Sequence, residues 1–338
     1  MATRVQALEI GLSIDKQADI STASTTFLHM EKTNEDITSV NYATVNDAAF
    51  IGKGNEFISD HGVFPVSQTP SNRIEFWGDA TFLIWSLAYA MGDVQEATGL
   101  YTIQSLVPGT SLQLPYATIV EQLDESGSAA IDNAYLGCCV EDVTISMNSG
   151  PGPESVKVTT NWIGSGKYTS PSSVSLPDLS TNHFLPSSSA ALTVIGVDYV
   201  AATTIESVTI GIKNNLLEKD GFFPGSGTQN GASVRGRLEY GVRQYTLEFT
   251  ARLLNNSAEF TKLVGQTTGT VVLTLTYDST HTITFTYGAV SFERVDYTTV
   301  DGIACVHVVC AVKDPDGTGH PLVVTGKCAV TGIGQPAS

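Results

Sequence analysis

The sequence predicts a mainly β protein: two tandem domains of β-sandwich or barrel type, each with one flanking α-helix. Three observations carry that expectation. Apolar residues alternate with threonine and serine at a period of two in several stretches, as half-buried strands require. A single stretch is apolar on nearly every side, which is the pattern of a buried helix. And landmarks of the first half return in the same order in the second, the mark of an internal repeat.

The helix is 79–92 (DATFLIWSLAYAMG). Asp79 can cap its first turn through the carboxylate, and Gly92 can close it in the left-handed conformation. Phe82, Leu83, Ile84, Trp85, Leu87, Ala88, Tyr89 and Met91 leave it almost no polar face. It falls short of the roughly 20 apolar residues that a membrane span needs, so it is expected to pack against a sheet. A weaker counterpart is 255–269 (NNSAEFTKLVGQTTG).

Taken in order, 5–14 reads as a strand, 15–26 as a polar arm or loop, and 27–37 as a mixed strand. From 46 to 70, glycine and proline breaks among scattered aromatics predict a long loop or a projecting hairpin. Residues 73–77 (RIEFW) form a short strand running into the helix. After it come strands at 100–106 and 112–123, the latter at an edge or bulge because of Pro115. Val143, Ile145 and Met147, then Val156, Val158, Thr160 and Trp162, alternate with polar residues on either side of a Ser-Gly-Pro-Gly-Pro turn, a clean hairpin. Residues 164–190, rich in Ser, Pro and Gly, predict a linker between a first domain at 1–163 and a second at 191–338.

In the second half, Val208, Ile210 and Ile212 mark a strand, and 218–231 (EKDGFFPGSGTQNG) a second long loop. Residues 245–249 (YTLEF) lead into the second helix. Further strands are expected at 271–277, 283–287, 289–297 and 303–312. The repeat is seen when Gly62-Val63-Phe64-Pro65 is set beside Gly221-Phe222-Phe223-Pro224, Ile74-Glu75-Phe76 beside Leu247-Glu248-Phe249, and the hairpin 137–162 beside 288–313.

Composition excludes several classes. A net charge of −17 argues against binding nucleic acid by phosphate neutralisation. The opening 1–19 lacks the basic start and apolar run of a signal peptide, and five cysteines without a C-x-x-C pair predict buried reduced thiols in a cytoplasm-like environment. The six histidines are scattered, which predicts no metal site. Gly164-Ser165-Gly166-Lys167 hints at a phosphate loop, but Asn161 and Tyr168 stand where that motif needs Gly and Ser or Thr. Glu121, Asp124 and Glu125 cluster as a cation site does, yet the calcium-loop pattern is absent and a polar loop is the expectation. No catalytic constellation, metal or cofactor is expected.

The short strand entering one helix, the stretch Leu114-Pro115-Tyr116-Ala117-Thr118-Ile119 and the closing hairpin together resemble the tail tube proteins of long-tailed bacteriophages. The first half carries the closer likeness, around 62–66 and 79–121. The resemblance implies a virion protein whose copies close into rings with a continuous β-barrel wall, helices outside, stacked into a tube. DNA passes through the lumen without specific binding, a tape measure protein lies inside during assembly, and terminator and tip proteins sit at the ends. It implies assembly in the host cytoplasm and no membrane partner. One-domain tube proteins are expected to close as hexamers, so a two-domain chain would close as a homotrimer with a pseudo-six-fold wall; a homohexamer of whole chains is the rival. The other classes that the sequence allows are a decoration or terminator subunit of a virion and a carbohydrate-binding β-sandwich module. Phe57, Phe64, Phe222 and Phe223 sit among glycines and polar residues, where one chain gains little by burying them, and are expected to make contacts between subunits or rings.

Overall fold

The computed structural model describes residues 5–50, 56–107, 113–125, 131–150, 152, 155–170, 174–177, 184, 190–199, 205–217, 221–253, 258–315, 317 and 320–336. The first half contains β1 (Val5–Ser13), β2 (Phe27–Met30), β3 (Ser39–Phe50), β4 (Glu56–Trp77), α1 (Ala80–Met91), β5 (Gly92–Ala97), β6 (Leu100–Ser105), β7 (Ala117–Glu125), β8 (Ile131–Asn148), β9 (Val156–Ile163) and β10 (Tyr168–Thr169). The second contains β11 (Ala190–Val194), β12 (Val197–Tyr199), β13 (Ile205–Lys213), β14 (Thr228–Gln229), β15 (Ala232–Ser233), β16 (Gln244–Arg252), α2 (Ala258–Val264), β17 (Gly269–Thr276), β18 (Thr282–Val300), β19 (Ile303–Lys313) and β20 (Leu322–Lys327). The mainly β expectation holds.

The two halves are built from the same ladders. The pairings β1–β2, β1–β7, β7–β8, β8–β9, β4–β9, β3–β4 and β8–β10 recur as β11–β12, β11–β17, β17–β18, β18–β19, β16–β19, β13–β16 and β18–β20. Even the irregularities match. The bulge between Ala117 and Ile119 on β7 has its counterpart between Gly269 and Val271 on β17. The bulge between Val140 and Asp142 on β8 has its counterpart between Phe292 and Arg294 on β18. Ala117 and Gly269, Tyr135 and Tyr287, and Asn148 and Val300 therefore hold equivalent places at one constant spacing. On this footing Ile74 matches Phe249, two positions from the pairing that the Ile-Glu-Phe and Leu-Glu-Phe triplets suggest. A slip of two leaves every side chain on its original face, so apolar patterning cannot detect it.

β8 and β18 are single long strands where the sequence suggests shorter pieces. Each bends at its bulge and passes from one layer to another, since an extra residue locally breaks the ladder and increases the twist. The first part of β8 pairs with β7 and β10, the rest with β9 and β13. In the same way β18 starts between β17 and β20 and continues beside β19. Between the layers lies the larger core, containing Phe76, Trp85, Trp162, Phe249, Phe285 and Tyr287; a smaller apolar cluster gathers around Tyr116, Cys139 and Leu238.

Every residue of α1 is buried. Asp79 caps it, accepting from the Thr81 backbone N–H at 2.8 Å, and Gly92 ends it at φ 90° with its own N–H donated to the Ala88 carbonyl. The helix is wedged between the halves, against β5, β6 and β8 and against β18 and β20. Gly326 on β20 permits the close approach, because a Cβ there would lie 2.9 Å from the Ile84 side chain. The second helix ends earlier than expected: its described residues are Ala258–Val264, the chain turns at Gly265 and Gln266, and 255–257 lie outside the described residues.

The hairpin reading of 46–70 is the observed one: β3 and β4 pair from Ser39↔Ser71 out to Phe50↔Glu56. Within 164–190, the described residues are partly built into the fold and do not form free coil. Ser165 and Phe184 are buried, and Tyr168 and Thr169 pair with β8.

Candidate assembly surface

An antiparallel sheet alternates its side chains between two faces, and the ends of the sheet present unpaired backbone groups. Both properties define this surface. One layer runs β3–β4–β9–β8–β13–β16–β19–β18, with the two halves contributing equally. At its centre, β13 of the second half pairs with β8 of the first from Ser207↔Asn148 to Lys213↔Asp142. A buried amide reinforces that seam: Asn214 Nδ2 donates to the Ala90 carbonyl of α1 at 3.0 Å and to the Val140 carbonyl of β8 at 2.8 Å.

Val143, Ile145, Val158, Ile210, Phe249 and Val308 point from this layer into the core. The opposite face carries Thr144, Ser146, Thr159, Asn161, Thr209 and Thr246 between scattered charges, and those charges are matched. Arg73 and Lys157 both pair with Glu75, and Arg294 Nε lies 2.7 Å from Asp296. Asn161 donates to Asp142 at 2.7 Å; burial raises that carboxyl, offset by this bond and by Lys213 opposite it. The result is a hydroxyl-rich wetted face whose charges largely cancel locally.

The two ends of the layer are open. Among the described residues, β3 has a ladder partner on one side only, β4, and 291–300 of β18 has only β19. Exposed apolar side chains gather at both ends: Ile37 and Tyr42 beside β3, and Tyr297, Ile303 and Leu253 at the β18–β19 end. A shallow hollow at the latter is lined by Leu253, Tyr297, Thr298, Thr299, Ala304 and Cys305. Another, beside β3, includes Asp36, Ile37, Ser39, Asn41 and Tyr42.

The phenylalanines expected to make contacts fall in two regions. Phe57 and Phe64 lie on β4 in the hairpin, their backbones opposite Ala49 and Val45, and their side chains are outside the described residues. Phe223 is 55% exposed, whereas Phe222 is half-buried with the Arg235 guanidinium 4.6 Å from its ring centre. The base of the second loop lies on the base of the hairpin, through the bridge Ser233↔Ser67.

The acidic cluster is not a solvated loop at its first member. Glu121 is buried and accepts from the Thr38 backbone N–H at 3.0 Å, the Thr38 hydroxyl at 2.5 Å and Asn72 Nδ2 at 2.9 Å. The side chains of Asp124 and Glu125 are outside the described residues. Gly164 and Ser165, the start of the phosphate-loop hint, are committed to structure: the Gly164 N–H donates to the Pro70 carbonyl and the Ser165 hydroxyl to the Leu136 carbonyl. Among the described residues no group of three or more His, Cys, Asp or Glu is placed to hold a metal ion, and no helix is long and apolar enough to cross a membrane.

Sequence reasoning missed the open ends and the β8–β13 seam. The signal available was the pair of equal apolar alternations, Val143-Ile145-Met147 and Val208-Ile210-Ile212, which became neighbours in one sheet.

Residues 17–331 match the sequence profile of a family described as phage tail tube protein. No curated protein matches the chain.

Proposed function

Because the chain belongs to the phage tail tube protein family, and so is a structural protein of the bacteriophage tail, we propose that it is the subunit that polymerises into stacked rings to form the tube through which DNA passes. The observation that carries this reading is the β3-to-β18 layer, which contains equivalent strands from each half and is unpaired at both ends. A sheet left open at both ends is a liability that closure into a barrel removes.

In this reading 1–163 and 191–338 act as two tube domains joined by 164–190, and three chains fill the six positions of a ring. The matching ladders of the two halves support this count, since each half offers the same wall segment. The hydroxyl-rich face with its locally matched charges lines the lumen. Among the described residues it holds no patch of free Lys and Arg to grip phosphates, so DNA slides instead of binding. The tape measure protein occupies the lumen during assembly in the host cytoplasm, and terminator and tip proteins close the ends. The chain is a building element and carries out no chemical step.

The β3–β4 hairpin, with Phe57 and Phe64, and the loop carrying Phe222 and Phe223 reach neighbouring rings. The exposed Phe223 ring supports this role directly, while Phe222 acts by holding the loop through its stacking on Arg235. Electron microscopy of the purified chain tests the reading. Rings of three chains with a pseudo-six-fold wall, stacked into tubes, are expected; six whole chains per ring, with one half lining the lumen, would refute it. Phe222→Ser with Phe223→Ser is expected to leave a soluble, folded chain that no longer forms tubes.

A further inference from the structure

The seam inside the chain is a template for the seam between chains. β13 lies along β8, and β13 is the equivalent of the β3 edge, as β8 is the equivalent of β18. The first half thus keeps an open copy of the strand that docks, and the second half keeps an open copy of the strand that receives it. We propose that 35–41 of one copy, leading into and beginning β3, pairs antiparallel with 294–300 of β18 in a second copy, repeating the β13–β8 ladder. This deepens the ring reading above and rests on it.

The equivalences fix the register. Ile212↔Val143, Gly211↔Thr144 and Lys213↔Asp142 are partners within the chain. Their counterparts set Val40 opposite Val295, Ser39 opposite Asp296 and Asn41 opposite Arg294. Val40 and Val295 both pack against the core of their own copy, so the apolar layer runs on across the seam. The same ladder sets Thr38 beside the exposed Tyr297 and the exposed Ile37 opposite Thr298. No two like charges face each other. The register two residues away sets Thr38 against Val295 and the apolar Ile37 against Asp296, and so loses the valine pair. Residues 31–38 form no ladder in the single chain, where the Thr33 N–H is held by the Glu75 carbonyl and the Thr38 N–H by Glu121. The contact is head-to-tail, and such contacts make rings when the rotation closes.

Cysteine cross-linking of the full chain tests both edge and register. Ile37→Cys combined with Thr298→Cys puts the two thiols directly across the seam, within disulfide reach. The control, Ile37→Cys with Asp296→Cys, is two residues off register, where side chains stand roughly 7–8 Å apart. All five native cysteines are buried, so their background is low. Oxidation of assembled tubes should link the first pair between copies about tenfold more than the control, by the steep distance dependence of disulfide geometry. Preferential linking of the control overturns the register. Tubes that form normally but cross-link in neither variant overturn the edge assignment while leaving the ring reading in place. Failure of the unsubstituted chain to assemble under any condition overturns both.

Discussion

The two helices hold matching places, one after β4 and one after β16, yet they have opposite fates. α1 is buried at every position and makes three kinds of polar contact inward: the Trp85 indole N–H donates to the Ser13 carbonyl at 2.8 Å, the Tyr89 hydroxyl lies 3.3 Å from Ser13 Oγ, and Ser86 pairs with Thr160 at 3.0 Å. α2 touches β18, and its last residue, Val264, is 83% exposed. Its anchors are the buried Glu259, which accepts from the Tyr199 hydroxyl at 2.7 Å, and the half-buried Phe260, whose ring lies 4.8 Å from that of Tyr297. The difference lies in the neighbours. The second half and the β5–β6 hairpin cover α1, and nothing among the described residues does the same for α2. Each chain therefore has one helix covered on every side and one left partly open.

The largest effect should come from the covered helix. Trp85→Ala should destabilise the chain by about 3–5 kcal/mol, the usual cost of removing a large core aromatic, whereas Phe260→Ala should cost about 1 kcal/mol in the unassembled chain. Urea unfolding of both variants measures the gap. If the two cost the same, the contrast between the helices is wrong.

Next is the seam that covers α1. Asn214→Leu removes both amide donors and leaves the buried Ala90 and Val140 carbonyls without them, at a cost of about 2–3 kcal/mol. Hydrogen exchange should show faster opening of β13 and the end of α1, with β17 unchanged. A uniform change across the chain would argue against a local role.

The equivalent strands β7 and β17 differ in polarity at a buried place, Glu121 against Leu273. Burial pushes the Glu121 carboxyl above its ordinary 4.5, partly offset by the Thr38 and Asn72 hydrogen bonds and by Lys32. Between the unfolded and the raised folded value, the folded chain holds the extra proton. Glu121 therefore favours folding at the acid end of that window, and this contribution is lost as pH rises through it. Glu121→Gln should remove that downward slope, seen as a smaller difference in melting temperature between pH 4.5 and neutral than the unsubstituted chain shows.

The smallest effect concerns the thiols. Burial pushes Cys310 up to about 12 and Cys328 up to about 11, and Cys138 and Cys139 higher still. At pH 8 these four should resist a thiol reagent in the folded chain and react promptly once it is denatured, since the thiolate is the reactive form. Fast labelling of Cys138 or Cys139 in the native chain would show that the first half opens as readily as the second.

Much of this was written locally. Asp79, a run that is apolar except at Thr81 and Ser86, and Gly92 are enough to begin, bury and end α1, because capping and burial act within a few residues. The alternation of Val, Ile and Thr fixed which faces of β8, β9, β13 and β17 are buried, since the strand period is two. The order of landmarks revealed the repeat. Packing decided the rest. α2 ends at Val264 because, among the described residues, Gly265 and the polar residues after it have no covering sheet to offset their weak helix propensity. A bulge made single bent strands of β8 and β18, and a strand sequence carries no distinctive mark of the residue that its partner will skip. Least legible was which strand lies beside which. Val143-Ile145-Met147 and Val208-Ile210-Ile212 would each suit many neighbours, because backbone hydrogen bonds are the same for every sequence. Only the fold, by bringing β13 to β8 and leaving β3 and the end of β18 unpaired, selected one partner and withheld the other.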